Sequence, residues 1–246
     1  QLKGAKALVT GGTKGIGRAI AERLSDEGAN VAICARNEDD VNAAVEALSA
    51  KGVTVFGQAF DVGDADALKG WIDASAEALG GIDTVVSNVS GGNAPGEEGW
   101  RANFEYDVLG SVRLVEGSLG YLEQSENASI TLISSTAALE KFMGASAYNA
   151  MKGAMVQYSG ALAQDVGAKG IRVNSICPGP IFIEGGSWDM IKQHMTDFHD
   201  AAIAEIPVGR MGRAEEVAAQ IALLASPFGA FTTGTNVVID GGRTVL

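Results

Sequence analysis

The sequence predicts an α/β protein built on a doubly wound parallel sheet. Short apolar, β-branched runs alternate with longer segments of helical periodicity along all 246 residues. The runs are continuously apolar, as expected of strands buried on both faces of a sheet. The 33 glycines fall mostly between these segments, which indicates many tight turns. Because no linker, charge block or repeat interrupts the pattern, we expect a single domain over residues 1–246.

Seven strands and six helices are predicted in alternation. The strands are Ala5–Thr10, Asn30–Ala35, Thr54–Gln58, Thr84–Ser87, Ser129–Ser134, Arg172–Ile176 and Asn236–Ile239. The helices are Ile16–Glu27, Glu38–Ala50, Ala65–Leu79, Trp100–Glu123, Ala147–Val166 and Glu215–Ala225. Right-handed crossovers between parallel strands place helices on both faces of the sheet.

One stretch, from about Pro178 to Val208, does not follow the alternation. It follows a predicted strand, contains a Gly-Gly break and has partly helical periodicity. Such an excursion at the carboxyl end of a strand is typical of a lid over a ligand crevice, so we expect a lid at about 181–208. An ordinary helix pair packed on the core is the alternative. Its larger apolar side chains are Trp188, Met190, Met195 and Phe198.

Composition and charge exclude several classes of partner. The chain is 46% hydrophobic and 20% charged, with a net charge of −12 and a pI near 4.6. This field repels nucleic acid and anionic membranes. No apolar run reaches the roughly 18–20 residues that a membrane span needs, and no signal peptide is visible. We therefore expect a cytoplasmic protein.

Cysteines and histidines give no sign of a disulfide framework or a metal site. Cys34 and Cys177 lie in apolar, strand-like contexts, which predicts buried thiols. His194 and His199 are five residues apart, which does not match the i, i+4 spacing of a helical zinc site. We expect both histidines on an exposed helix face and no metal.

A glycine-rich turn follows the first strand and opens a helix. Gly11, Gly15 and Gly17 have the spacing T-G-x-x-x-G-x-G. Glycine allows the backbone to approach a pyrophosphate closely, and the helix N-terminus beyond supplies N–H groups and a positive dipole end. This position between strand and helix is the one a dinucleotide-binding turn requires.

The end of the second strand indicates the type of dinucleotide. An acidic residue there would bind a ribose 2′-hydroxyl and favour NAD, whereas an arginine accommodates a 2′-phosphate. The sequence has Ala35 and Arg36 at this point, and Lys14 in the glycine turn can reach the same phosphate. We therefore expect NADP(H) in preference to NAD(H).

The stretch SAYNAMKGAM contains a tyrosine and a lysine at i and i+4, Tyr148 and Lys152, on one face of a predicted helix. This spacing alone is also common on ordinary helix surfaces. With the glycine turn and the cations, however, the chain resembles the short-chain dehydrogenase/reductases almost end to end, and in particular the 3-oxoacyl-acyl-carrier-protein reductases. The motifs are TGGTKGIG, FDVGD, SNVSG, ISS, YNAMK, IRVNSICPGPI and GRMGRAEEVA with TGTNVVIDGG, in this order.

The resemblance implies a Rossmann-type sheet and a set of functional residues. Those implied to act in catalysis are Ser135, Tyr148, Lys152 and Asp107. Those implied to bind the cofactor are Gly11, Thr13, Lys14, Gly15, Ile16, Gly17, Arg36, Asp61, Val62, Asn88, Tyr148, Lys152, Pro178, Gly179 and Ile181. Ser135 lies thirteen positions before Tyr148, the usual interval in the family, so Ser134 is expected to be structural.

These residue types suit proton transfer to a carbonyl. A phenol is a weak base at neutral pH, and a neighbouring ammonium such as Lys152 favours the phenolate. Tyr148 would exchange a proton with the substrate oxygen, and Ser135 would hydrogen-bond that oxygen. The hydride is the cofactor's chemistry.

Three positions depart from the family pattern. Asp107 replaces an asparagine that helps to link the lysine to solvent, and we hypothesise that Asn103, one turn earlier, supplies the missing amide. Val89 and Ser90 replace smaller residues, with the alternative effects of narrowing the nicotinamide site or repacking locally. Ile183 replaces a threonine, whose hydroxyl contact is then missing or supplied elsewhere, for example by Ser187.

The leading interpretation is an NADP(H)-dependent carbonyl reductase or alcohol dehydrogenase acting on a small neutral or apolar substrate. A 3-oxoacyl-acyl-carrier-protein reductase is the alternative enzyme, although only Arg101 and Arg113 offer a basic patch for an acidic carrier. A cofactor-binding regulator without turnover is the competing class. The resemblance also implies a homotetramer, with a dimer as the alternative, formed through Trp100–Glu123, Ala147–Val166 and the terminal VVIDGGRTVL.

Overall fold

Nine strands are present in residues 1–244, the part of the chain that the computed structural model describes. They are β1 (Lys6–Thr10), β2 (Asn30–Ala35), β3 (Val55–Ala59), β4 (Thr84–Ser87), β5 (Ser129–Ile133), β6 (Arg172–Pro178), β7 (Ile181–Phe182), β8 (Gly212–Arg213) and β9 (Asn236–Ile239). Seven of them form one parallel sheet in the order β3-β2-β1-β4-β5-β6-β9. The order reverses between β1 and β4, which opens a crevice at their carboxyl ends.

Nine α-helices connect the strands within the same residues. They are α1 (Gly15–Asp26), α2 (Glu38–Ser49), α3 (Ala65–Leu79), α4 (Gly96–Asn103), α5 (Gly110–Leu122), α6 (Ala147–Val166), α7 (Ser187–His194), α8 (Thr196–Ala204) and α9 (Ala214–Ala225). Side chains of Asn37, Asp64 and Ser146 accept N–H bonds at the starts of α2, α3 and α6. Helix α1 has no side-chain cap. Its first N–H groups are therefore available to an anion.

Two apolar cores lie on opposite faces of the sheet. Ala7 and Val9 of β1 belong to the core formed with α1 and α9, whereas Leu8 between them belongs to the core formed with α3 and α5. Trp71 is fully buried in the second core. This alternation, with apolar residues on both faces of one strand, confirms the predicted doubly wound sheet in a single domain.

The predicted strands are all present, with small differences at their ends. The third strand begins one residue later than predicted, and the sixth extends to Pro178 because it pairs with β9 as far as Ile239. The short parallel pair β7–β8 was not predicted. Each of these strands has only two residues, which is too short for a sequence pattern to reveal them.

The helix predicted over Trp100–Glu123 is present, but it starts earlier and is not α-helical throughout. The helix begins at Gly96, and a π-helical segment at Phe104–Leu109 separates α4 from α5. The Ser111 hydroxyl donates to the Asp107 carbonyl oxygen at 2.6 Å. This bond gives a partner to a carbonyl group in the π-helical segment. A π turn adds one residue to the helical circuit, and such turns are frequent at functional sites. Here it accompanies full burial of the Asp107 side chain.

The segment expected to form a lid contains β7, α7 and α8. His194 is exposed as predicted, whereas the prediction for His199 is wrong: it is buried, with Nδ1 2.9 Å from Asp200 Oδ1.

Both cysteines are buried, and burial raises the pKa of Cys34 to about 12. Of the terminal stretch expected at an interface, Val245 and Leu246 lie outside the described residues.

Residues 1–244 contain neither a membrane-spanning helix nor a metal-binding cluster. No helix there is long and apolar enough to cross a bilayer. No group of three or more His, Cys, Asp or Glu side chains has the geometry to hold a metal ion in that part of the chain.

Candidate active site

The turn between β1 and α1 forms the floor of the crevice. Gly11 and Gly15 have φ angles of +66° and +57°, which glycine adopts without strain. A Cβ at Gly17 would lie 2.2 Å from the Gly11 carbonyl oxygen and 2.5 Å from Asn88 Nδ2. The turn is therefore a cradle that only glycine permits, and it fits the pyrophosphate of a dinucleotide. Thr13 lies half-buried within it.

Asn88 fastens the end of β4 to the end of β1. Its backbone N–H donates to Thr10 Oγ1 at 3.0 Å, and its Nδ2 donates to the Thr10 carbonyl oxygen at 3.1 Å. The side chain also lines cavities on both sides of the glycine turn. Asn88 thus fixes the width of the crevice at the point where the sheet order reverses.

One cavity, of about 360 Å³, lies on the β2 side of the crevice. Asp61 lines it and is held from two directions: Gly63 N–H donates to Oδ1 at 2.9 Å, and the Tyr106 hydroxyl donates to Oδ2 at 3.0 Å. The bond to Asp61, with a smaller effect of burial, raises the pKa of Tyr106. Tyr106 belongs to the π-helical segment and was missed by the sequence analysis. Other lining residues are Gly11, Arg36, Val62, Asn88 and Val89.

The two cations expected at the cofactor have different surroundings. Arg36 lines the cavity and forms no ion pair with any residue between 1 and 244. Lys14 does not line it: its Nζ lies 2.6 Å from Asp40 Oδ2, and its side chain is 75% exposed. Of the two predicted cations, Arg36 alone therefore faces the cavity in this structure.

The second cavity, of about 290 Å³, is lined by three of the four residues of the expected catalytic set, and Asp107 lies outside its lining. Ser135 enters it from the turn after β5, while Tyr148 and Lys152 enter from the first turns of α6. The other predicted cofactor residues that line it are Ile16, Asn88, Pro178, Gly179 and Ile181. A Cβ at Gly179 would lie 2.5 Å from Asp240 Cβ, so this wall also requires glycine.

Lys152 is almost completely buried behind Tyr148. Its Nζ donates to the Ile133 carbonyl oxygen at 2.9 Å and lies 5.7 Å from the centre of the Tyr148 ring. The Ser134 hydroxyl donates to the Lys152 carbonyl oxygen at 2.7 Å, which gives Ser134 the structural position expected of it. The lysine is thus fixed by β5 and by its own helix.

Asp107 forms a direct ion pair with Lys152. Its Oδ1 lies 2.8 Å from Nζ, at an angle outside hydrogen-bonding geometry, and the two side chains are 0% and 4% exposed. Its Oδ2 accepts bonds from Gly91 N–H at 2.8 Å and from Ser90 Oγ at 3.3 Å. These bonds hold the Asp107 carboxylate in one position opposite the buried Lys152 ammonium.

The hypothesis for Asn103 is wrong. Its Nδ2 donates to the carbonyl oxygens of Gly92 and Gly99, both at 2.9 Å, so the amide hydrogens are engaged away from Lys152. The side chain is buried and serves to hold the chain before α4. Asp107 instead contacts Lys152 directly through its carboxylate.

The other two departures lie in separate places. Val89 lines the cavity of Arg36 and Asp61 and not that of Tyr148, so its bulk does not narrow the catalytic cavity, whereas Ser90 lines both cavities. Ile183 Cδ1 would lie 3.2 Å from a Cβ at Gly15, which places the isoleucine against the glycine turn. Ser187 lines the catalytic cavity and keeps a hydroxyl near the position of the missing threonine.

Aromatic side chains form the outer wall of the catalytic cavity. Trp188 of α7 is stacked on Phe198 of α8, with ring centres 6.1 Å apart, and contacts Phe142 at 6.4 Å. Trp188 and Phe142 both line the cavity. Met190 and Met195 of the same segment are 58% and 50% exposed. The wall is therefore built from a segment that is itself only partly packed.

Comparisons with known proteins show the family to which the chain belongs. A family model described as enoyl-(acyl carrier protein) reductase matches residues 11–244. The chain is 40% identical to isoepoxydon dehydrogenase of Penicillium expansum over 249 residues, which cover 98% of this chain and 95% of that protein. It is 31% identical to 3-oxoacyl-[acyl-carrier-protein] reductase of Vibrio cholerae over 250 residues, covering 100% of this chain and 99% of the relative.

Solved structures show the same likeness. L-Sorbose reductase from Gluconobacter frateurii, complexed with NADPH and L-sorbose, superposes with a TM-score of 0.92 at 29% identity, covering 100% of this chain and 98% of that one. An NAD⁺-bound xylitol dehydrogenase superposes with a TM-score of 0.91 at 25% identity, covering 98% and 100%. The chain therefore belongs to the short-chain dehydrogenase/reductase family and is an oxidoreductase. The cofactors bound in these two structures differ, NADPH in one and NAD⁺ in the other, so the likeness alone does not determine the cofactor preference of this chain.

Proposed function

We propose that this protein is an NADP(H)-dependent oxidoreductase that interconverts a carbonyl and a secondary alcohol, with Tyr148 as the general acid and base. The observation that carries the proposal is the single cavity lined by Ser135, Tyr148 and Lys152, which Ile16 and Asn88 connect to the glycine turn. A carbonyl in this cavity would meet a proton donor and a hydrogen-bond donor together. The bound nicotinamide would supply or accept the hydride.

Each side chain has a distinct task in this reaction. In reduction, Tyr148 donates its hydroxyl proton to the carbonyl oxygen, and in oxidation it removes the proton from the alcohol. Ser135 donates a hydrogen bond to the same oxygen and fixes its position, which stabilises the charge that develops there. Lys152 places a positive charge near the Tyr148 ring and favours the phenolate that remains after proton donation.

Asp107 allows Lys152 to keep its charge in a buried position. An isolated buried ammonium is costly, whereas one with a carboxylate at 2.8 Å and a carbonyl at 2.9 Å is compensated. We therefore assign Asp107 as a positioning residue that acts through Lys152. Asp107 does not line the cavity, so we do not assign it a contact with the substrate.

The cofactor preference rests on Arg36. Its guanidinium lines the cavity of Asp61 and Val62 without an acidic partner between residues 1 and 244, which suits a 2′-phosphate. Gly11, Gly15 and Gly17 would hold the pyrophosphate, and Lys14, which does not line the cavity, would add a second contact only if its exposed side chain turned toward the cofactor. Asp61 and Val62 would border the adenine, and Pro178, Gly179 and Ile181 the nicotinamide.

The direct test is NADPH oxidation with a panel of ketones and aldehydes. Tyr148→Phe should lower kcat by at least about a hundredfold, since general acid catalysis contributes 10²–10⁴-fold. Tyr158→Phe, on the same helix, is the matched control because the Tyr158 hydroxyl has no hydrogen-bond partner among residues 1–244. Turnover by Tyr148→Phe within tenfold of the unmutated protein would contradict the assignment. Tight NADPH binding without any turnover would instead favour the cofactor-binding regulator.

A 3-oxoacyl-acyl-carrier-protein reductase is less well supported by the surface. Arg101, one of the two arginines expected to contact an acidic carrier, pairs with Glu97 at 2.5 Å, and the other, Arg113, pairs with Glu105. Each arginine is therefore paired with a carboxylate, and neither forms an uncompensated positive patch on a chain whose net charge is −12. We accordingly favour a free small molecule as the substrate.

Two further expectations belong to the proposed function. We propose that the segment 181–208 acts as the lid of the catalytic cavity, because Trp188 on α7 forms part of its wall. We also propose self-association, as a homotetramer or a dimer, through the outer faces of α4, α5 and α6. Trp100 and Phe104, both about half exposed there, favour such an interface.

A further inference from the structure

A three-residue ionic cluster borders the catalytic cavity and has no role in the function proposed above. Arg243 lies after β9, lines the cavity and is only 15% exposed. Its Nη1 pairs with Glu140, while Nη2 and Nε lie 2.8 Å and 3.1 Å from Glu205 Oε2. Lys152, the other charged residue between positions 1 and 244 that lines the cavity, is paired with Asp107 and belongs to the catalytic set, so an arginine this buried needs a separate explanation.

The cluster joins three segments that are far apart in the chain. Glu140 lies in the connection between the Ser135 turn and α6, and Glu205 directly follows α8 at the end of the proposed lid. Arg243 comes from the segment after the last strand. The guanidinium is thus held from two sides in one orientation, and Arg243 lines the cavity.

The charges and donors of the cluster decide what it can bind. Two carboxylates around one guanidinium leave a net charge of −1, which repels an anionic substrate. A guanidinium has five N–H donors, and Glu140 and Glu205 engage three of them. The other two have no partner among residues 1–244. They suit neutral oxygen acceptors, such as a hydroxyl or an ether.

The rest of the cavity wall agrees with such a ligand. Asn93 and Ser187 add polar groups, while Phe142 and Trp188 present aromatic surface. A compact molecule with one apolar face and several hydroxyl groups satisfies both parts of the wall. A ketone whose remaining atoms are all hydrocarbon would offer no acceptor to the two Arg243 N–H groups that Glu140 and Glu205 do not engage.

We infer that Arg243 is a specificity-determining residue that donates hydrogen bonds to an oxygen of an uncharged substrate other than the reacting one. The substrate class is then a small hydroxylated ketone, or the polyol formed from it. This inference rests on the proposed carbonyl reductase activity and specifies its substrate.

The test compares matched substrates in the full-length enzyme with NADPH. Cyclohexanone, 3-hydroxycyclohexanone and 3-oxocyclohexanecarboxylate differ only in a hydrogen, a hydroxyl or a carboxylate. We expect the unmutated enzyme to have a kcat/KM about tenfold to a hundredfold higher for the hydroxylated ketone than for cyclohexanone, and the carboxylate to be the poorest substrate. Arg243→Gln should reduce the preference for the hydroxyl to less than threefold.

Arg213→Gln is the control, because Arg213 is 69% exposed and lines neither cavity. It should keep the full preference. Thermal unfolding and NADPH affinity of Arg243→Gln, measured by fluorescence, show whether the fold and the cofactor site are retained. A preference that survives in a folded, NADPH-binding Arg243→Gln would overturn the inference, as would equal turnover of all three ketones by the unmutated enzyme. Absence of turnover with every carbonyl would overturn the proposed function itself.

Discussion

The two halves of the crevice are built by different means. On the cofactor side, the groups are positioned by backbone and by partly buried, hydrogen-bonded polar side chains, as at Gly17, Asn88 and Asp61. On the substrate side, the wall depends on the Trp188 stack and on the ion pairs of Arg243, and it carries exposed methionines. The first half is fixed by the sheet itself, and the second by side chains on a peripheral segment. Substitutions should therefore act separately on cofactor binding and on substrate choice.

The Asp107–Lys152 pair lies beneath both halves, so breaking it should have the largest effect. Asp107→Ala leaves Lys152 buried without its counter-charge, and we expect it to lower the free energy of unfolding by about 3–5 kcal/mol. Ser90→Ala is the control. It removes two 3.3 Å bonds, from Ser90 Oγ to Asp107 and from Gly92 N–H to Ser90 Oγ, leaves the Asp107–Lys152 contact in place, and should cost about 1–2 kcal/mol. Urea unfolding measures both. Equal losses would mean that the pair adds nothing beyond an ordinary hydrogen bond.

A change confined to the cofactor half should leave substrate choice intact. We expect Arg36→Ala to weaken NADPH binding about tenfold to a hundredfold and to affect NADH little, because a charged hydrogen bond to phosphate is lost. Lys14→Ala should have a smaller effect, since Asp40 already engages that ammonium. Titration of intrinsic fluorescence gives both affinities. A similar loss for NADH would place Arg36 at a part common to the two cofactors.

A change confined to the substrate half should have the smallest effect. We expect Trp188→Ala to raise the KM for a ketone substrate about three- to tenfold, the equivalent of one aromatic contact, with NADPH affinity unchanged. Trp100→Ala, on α4 and outside both cavities, is the control. Steady-state kinetics with NADPH in excess measure the change. An altered NADPH affinity in Trp188→Ala would show that the halves are not separable.

The same division explains what the sequence could reveal. Strands, glycine turn and the Tyr148–Lys152 pair were predictable because each depends on residues close together in the chain. The pairing of Arg243 with Glu140 was not, since the residues are 103 positions apart and belong to no periodic pattern. Tyr106 and the π-helical segment were missed because the apolar periodicity of α4 and α5 continues on both sides of the one added residue.

The short pairing of β7 with β8 has a consequence for how this protein could change its substrate. Ile181 lies opposite Gly212 and Phe182 opposite Arg213, so the intervening chain leaves and rejoins the fold at one point. Gly212 N–H also donates to the Pro180 carbonyl oxygen at 2.9 Å, just before the excursion begins. The cost of closing a loop whose ends are already held together rises only slowly with its length. The excursion is in effect an exchangeable module, which a relative's excursion of different length could replace without disturbing the seven-stranded sheet.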